Sequence, residues 1–205
     1  MIIAISAPAY KSGKDTVANF IRKHSVIKFE ELRFADKLKN FVCELIGCTR
    51  EQLEDQDFKA SRLGPEWDKY IRIEDGFHVN YVKSKSTTVR DLLIAIGDGL
   101  RNLVGPNVWV NGARSTYKSM KDTIVTDWRY REGEGEFLDE EKAYTIRVIR
   151  PDQPLINSPS ERSLDDYRFD FIIINDGTLE ELERKVIRVV NDIELMEEFN
   201  NGRKM

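Results

Sequence analysis

Residues 6–16, SAPAYKSGKDT, place Gly13 and Lys14 side by side and follow them with Asp15 and Thr16. That group matches what a polyphosphate needs. A glycine admits close approach of main-chain N–H groups at a helix start, a lysine reaches the β- and γ-phosphates, and a hydroxyl serves Mg2+. The pattern G-x-x-x-x-G-K-[ST] is met with two departures: Pro8 stands at its first glycine and Asp15 at its hydroxyl position. Pro8 forfeits one N–H and fixes φ at the loop's entrance; most donors of such a loop come from its later residues, Lys11, Ser12, Gly13, Lys14, Asp15 and Thr16. A carboxylate at Asp15 suits the positive end of a helix but is repelled by a triphosphate unless a cation lies between them. Mg2+ takes carboxylate oxygens and keeps several waters, so Asp15 is expected to hold the metal partly through water, with Thr16 adding its hydroxyl. An ordinary helix N-terminus with an exposed lysine is the alternative for KSGKDT.

Other chemistries have little to draw on. His24 and His78 are the only histidines, which disfavours a His-rich metal centre or a Ser-His-Asp triad, and Cys43 and Cys48 lie too far apart for a C-x-x-C motif. Both cysteines are expected as reduced, half-buried thiols. The 205 residues carry 32 Lys and Arg against 36 Asp and Glu, a net charge of -4, which disfavours a nucleic-acid partner bound by counterion release. No apolar run reaches the roughly 20 residues of a membrane span, and MIIAISAPAY lacks a basic leader, so the expectation is a cytoplasmic protein without a membrane partner.

The elements that must position the loop follow from periodicity. MIIAIS predicts a strand before it, and Val17, Phe20 and Ile21 the buried face of a helix after it. A short strand is expected within 28–34 and a helix from Ala35 to Gly47. Residues 49–87 are polar, without sustained periodicity, and are expected to form an inserted substrate-side segment. Leu92, Ile96, Leu100, Leu103 and Val104 mark one helical stripe, and a further helix is expected after Pro106. DTIVTD and YTIRVI predict strands, and FDFIIIND a strand apolar on both faces, as a central parallel strand should be. REGEGEFLDEEK is expected to be an acidic loop. Thr178 and Glu181 form a capping box, and Leu179, Leu182, Val186, Val189, Val190 and Ile193 the stripe of a closing helix. Alternating strands and helices imply an α/β fold whose ligands sit at the carboxyl ends of parallel strands, where the loop, Asp127 and Asn175 all fall.

SGKDT after a strand resembles the phosphate loop of the bacteriophage deoxynucleoside monophosphate kinases, within the P-loop nucleoside monophosphate kinase superfamily. FADKLKNFV, LEDQDFKASRLGPEW, TVRDLLIAIGDGLR, VWV, VTDWRYREGE, VIRP, SPSERSLDD and IINDGTLEEL follow in the family's order, over nearly the whole chain. Asp98, where the family often has threonine, and RYREGEGE, which blurs the residues usual after a D-x-R-[FY] motif, depart from it. The resemblance implies one P-loop kinase-like domain over 1–205. It would be a three-layer α/β/α fold with a central parallel sheet, a small NMP-binding segment over about 35–90 and a lid over about 150–168. Its implied activity is transfer of the γ-phosphoryl group of ATP, with Mg2+, to a deoxynucleoside monophosphate. For a phage protein this would occur in the host cytoplasm, and a homodimer stays open. Lys14 with the lid arginines Arg150 and Arg162 would cage the migrating phosphoryl group, with Arg147 and Arg168 as further candidates. The resemblance points to Lys39, Arg90 and Arg129 for the acceptor's phosphate and to Gly97 and Trp109 for the acceptor nucleotide, while Glu161 would contact that nucleotide or hold a lid arginine. Asn175, Asp176 and Thr178 would line the adenine edge. Asp127, a Walker-B-like carboxylate, would orient either Mg2+-bound water or an acceptor-side arginine. Two alternatives remain: another small-molecule P-loop kinase, similar to phosphomevalonate kinase, and a nucleotide-binding regulatory module without transfer chemistry.

Overall fold

The computed structural model describes residues 1–9, 11–75, 78–153 and 163–202. In chain order the elements are β1 (Ile2–Ser6), α1 (Lys14–His24), β2 (Glu30–Leu32), α2 (Asp36–Ile46), α3 (Arg50–Glu54) and α4 (Gln56–Ala60). A 3-10 turn at Pro65–Trp67, β3 (Lys69–Asp75), β4 (His78–Lys85), α5 (Val89–Val104) and α6 (Val108–Tyr117) follow. β5 (Thr123–Val125), α7 (Glu136–Glu140), β6 (Tyr144–Ile149), β7 (Phe171–Ile174) and a last helix, α8 (Leu179–Gly202), close the chain. Two compact units result, one of Met1–Phe34 with Val110–Met205 and one of Ala35–Trp109.

The first unit is built on a five-stranded, wholly parallel sheet of order β2-β5-β1-β6-β7. β1 lies at its centre and is apolar on both faces, as that place requires. Because successive strand residues point to opposite faces, its residues divide between two cores. Ile3 and Ile5 pack with Val17, Ala18 and Ile21 of α1 and Leu182, Val186, Val190 and Ile193 of α8. Ile2 and Ala4 pack with Val110 and Ala113 of α6 and Phe137 and Leu138 of α7. Helices cover both faces, so the unit is an α/β/α sandwich of the P-loop kinase kind. The strand order reverses at β1, with β5 on one side and β6 on the other. In open parallel sheets the crevice beyond such a switch point is where ligands bind.

The second unit packs α2, α3, α4 and α5 around Val42, Leu53 and Val89. β3 and β4 form an antiparallel pair. α5 opens on a capping box: the Thr88 hydroxyl accepts from the Asp91 N–H at 3.1 Å, and the Asp91 carboxylate accepts from the Thr88 N–H at 3.0 Å. Thr88→Ala is therefore expected to destabilise the protein by about 1 kcal/mol, measured as a lower urea midpoint at unchanged slope.

Three expectations need correction. β7 is an edge strand and not a central one, with Ile172 and Ile174 exposed although Ile173 is buried; an apolar β-branched run announces a strand but not its place in the sheet. The α5 stripe holds at Leu92 and Ile96, yet Leu103 and Val104 are exposed. α5 has 16 residues and α2, which packs along it, only 11, and spacing fixes a face without fixing how far its cover extends. In residues 49–87, whose elements the polar reading left open, Thr49 with Gln52 makes a capping box that a T-x-x-Q reading would have found. Within REGEGEFLDEEK, α7 buries Phe137 and Leu138 completely, and the Glu134 carboxylate is buried as well.

Candidate functional site

The phosphate-loop sequence leaves β1 at its carboxyl end and curls into α1. Ser12 is buried and its hydroxyl donates to the Ala9 carbonyl at 2.7 Å, closing the turn. Lys11 has φ +61° and Gly13 φ +100°, the left-handed conformations from which anion-binding main-chain nests are built. Gly13 is the N-cap of α1 and provides no side-chain cap. The start of α1 thus has no side-chain cap from Gly13, at the end of the helix where the dipole favours an anion.

Asn175 supports this turn from the far side of β6. Its N–H donates to the Ile149 carbonyl at 2.7 Å, and its side-chain amide donates to the Ser12 carbonyl at 3.0 Å. A Cβ on Gly13 would lie 2.7 Å from that amide nitrogen. Glycine is thus required at position 13 twice over, by its φ and by Asn175 at its back. In front of the turn lies a cavity of about 470 Å³, lined by Lys11 to Thr16, Arg150, Asn175, Gly177, Leu179 and Leu182. The expected ATP residues on the loop, with Arg150 and Asn175, are therefore together. The other two ATP residues do not line it: Asp176 pairs with Lys185 at 2.6 Å, which holds its carboxyl below the usual range, and Thr178 makes the capping box with Glu181. Gly177 and Leu179 went unforeseen. Leu179 belongs to the helical stripe by spacing, but it is exposed at the first turn of α8.

Asp15 is exposed and Thr16 half-buried at the start of α1. Among the described residues no three His, Cys, Asp or Glu side chains converge to form a protein cage for a metal. The donor set suits Mg2+, which commonly rests on one or two side-chain oxygens and completes its shell with water and phosphate. Asp127 follows β5 at the same sheet edge, and its carboxylate accepts from the Phe34 N–H at 3.1 Å, bracing the chain just after β2. Trp128 is buried against Tyr167 and Phe169, and Arg129 beyond it is exposed. Arg147 is no lid arginine: it is buried, pairs with Asp165 at 3.3 Å and lies over the Phe169 ring. Glu161 and Arg162 lie outside the described residues.

In the second unit Lys39 and Arg90, two of the cations expected on the acceptor side, lie in a charged cluster. Lys39 pairs with Glu54 at 2.7 Å, Arg50 with the same carboxylate at 3.2 Å, and Lys59 approaches it at 3.8 Å. Arg90 donates to Gln56 at 2.9 Å. Burial first, and then the charges of Lys39 and Arg90, hold the Lys59 ammonium below the ordinary lysine value although Glu54 opposes the shift. Burial works to raise the Glu54 carboxyl, but Lys39, Lys59 and Arg50 hold it below its ordinary value. Lys59 was not foreseen; its position on a short helix of the polar segment gives no periodic signal. Gly97 and Trp109 meet each other: the indole N–H donates to the Gly97 carbonyl at 3.1 Å, and Leu38 lies 3.2 Å from where a Gly97 Cβ would stand. Cys43 and Cys48 are half-buried free thiols, and burial with the Cys43 contact pushes the Cys48 thiol up to about 11.

No helix among the described residues is long and apolar enough to cross a membrane. No protein-family model matches the chain, and comparison with curated proteins finds no match either.

Proposed function

We propose that the protein is an ATP- and Mg2+-dependent deoxynucleoside monophosphate kinase, a P-loop enzyme that makes a deoxynucleoside diphosphate and ADP for DNA precursor supply. The observation that carries this is the uncapped N-terminus of α1, with Gly13 and Lys14, opening on a cavity at the switch point of a parallel sheet. ATP fits there with its phosphates on the amides of residues 13–16 and its base toward Gly177 and Leu179.

In the reaction an oxygen of the acceptor's phosphate attacks the γ-phosphorus, the bond from that phosphorus to the bridging oxygen breaks, and ADP carries away the electron pair. The acceptor phosphate is already ionised near neutral pH, so no side chain need remove a proton. The work is positioning and neutralisation of charge on the migrating group. Lys14 and Arg150 are the donor-side cations for it. The resemblance assigns Lys39, Arg90 and Arg129 to the acceptor's phosphate, for which arginine's planar fork is suited. Asp15 and Thr16 would hold Mg2+, which would neutralise charge on the donor's phosphates and so reconcile the aspartate to them.

A coupled ADP-release assay over the deoxynucleoside monophosphates tests this. Turnover on at least one of them is expected. Tight ATP binding with no turnover on any would favour the regulatory module, and turnover on phosphomevalonate alone the other small-molecule kinase.

A further inference from the structure

We propose that Glu134 is a positioning residue for the acceptor side: its buried carboxylate clamps the main chain of Arg129 and Tyr130 and so fixes where the Arg129 side chain leaves the end of β5. The inference rests on the assignment of Arg129 to the acceptor's phosphate.

Glu134 is only 4% exposed. Burying a carboxylate is costly unless donors replace its water. One oxygen, Oε2, receives both the Arg129 N–H at 2.9 Å and the Tyr130 N–H at 3.1 Å, and bonds to a charged acceptor are the stronger kind. The chain reaches back to make them by an irregular turn in which Glu132 is extended and Gly133 has φ +72°.

The remaining groups of the segment are secured as well. The Tyr130 carbonyl accepts from the Trp128 indole at 2.9 Å and from the Gly135 N–H at 3.1 Å, and the Arg131 N–H donates to the Ser163 hydroxyl at 3.0 Å. Trp128, immediately before Arg129, is locked among Tyr167 and Phe169. Arg129 is therefore an exposed cation on a main chain held on both sides of it. An arginine carried this way loses little backbone freedom on meeting a phosphate, and preorganisation of that kind lowers the cost of binding. An apolar side chain would fill the space but leave the Arg129 and Tyr130 N–H groups without this acceptor.

The test compares Glu134→Ala and Glu134→Gln in the full chain. Misplacing a positioned group by about 1 Å costs up to roughly 100-fold, so Glu134→Ala should raise the acceptor KM by between about 10- and 100-fold and leave the ATP KM within about twofold. Glutamine keeps one acceptor oxygen for both N–H groups, so Glu134→Gln should raise the acceptor KM less than Glu134→Ala does. Hydrogen exchange at the Arg129 and Tyr130 amides, followed by NMR, should accelerate in the alanine variant and not in the glutamine variant. An unchanged acceptor KM in Glu134→Ala, equal rises in both KM values, or a glutamine variant as impaired as the alanine one would overturn the proposal. If the parent protein turns over no monophosphate, the kinase assignment and the acceptor role fail together. The exchange rates still decide whether the clamp exists, and unchanged rates would remove it too.

Discussion

Lys14→Ala is expected to lower kcat by about a thousandfold, roughly 4 kcal/mol of transition-state stabilisation, with little change in thermal stability. Lys14 is the first residue of α1, directly after the glycine whose conformation turns the chain into the cavity. In phosphoryl transfer, charge spreads over the oxygens of the migrating group, and a cation fixed beside them stabilises the transition state more than the ground state. The kcat should therefore fall further than the ATP KM rises. A positive charge at a helix N-terminus is unfavourable and alanine is the best helix former, so the variant should melt no lower than the parent protein. Lys14→Arg should not rescue, since a planar fork does not replace a compact point charge. ADP release and circular dichroism melting on the same preparations check both halves.

Gly13→Ala should weaken ATP binding by about a hundredfold, close to 3 kcal/mol. Two costs combine. A φ of +100° is strained for any residue with a Cβ, and that Cβ would meet the Asn175 amide at 2.7 Å and push it from the Ser12 carbonyl. Relief of that strain would displace the amides that face the ligand. Gly47→Ala separates the two costs. Gly47, the C-cap of α2, has φ +69° with nothing within 4 Å of its would-be Cβ, so it should lose stability and keep ATP affinity. Calorimetric titration with Mg2+ and ATP, beside denaturant melts, reads both variants.

The parts of the molecule that periodicity and local chemistry specify were legible in the sequence. β1 and α1 flank the loop because MIIAIS is apolar on both faces and Val17, Phe20 and Ile21 keep helical spacing. α2 ends at Gly47, as expected, because glycine accepts the left-handed conformation at its C-cap. Thr178 and Glu181 cap the final helix through interactions only three residues apart. What escaped depends on partners distant in sequence. Glu134 reads as one acid among several in RYREGEGE, and only the irregular turn reveals that it points inward to main-chain amides. Arg147 has the composition of a lid cation, yet its strand carries it into the core beside Phe169 and Asp165. Asn175 stands at the expected strand end, but its bond to Ser12 depends on β1 and β7 lying on either side of β6, which no local signal records.

Everything functional depends on residues 12–16 receiving a nucleotide's phosphates. A crystal structure with a non-hydrolysable ATP analogue and Mg2+ examines that directly. The β- and γ-phosphates should accept from the amides at the start of α1, with the Lys14 ammonium against them and the metal beside Thr16 and Asp15. A nucleotide seated elsewhere, with this turn vacant and Lys14 directed into solvent, would contradict the assignment.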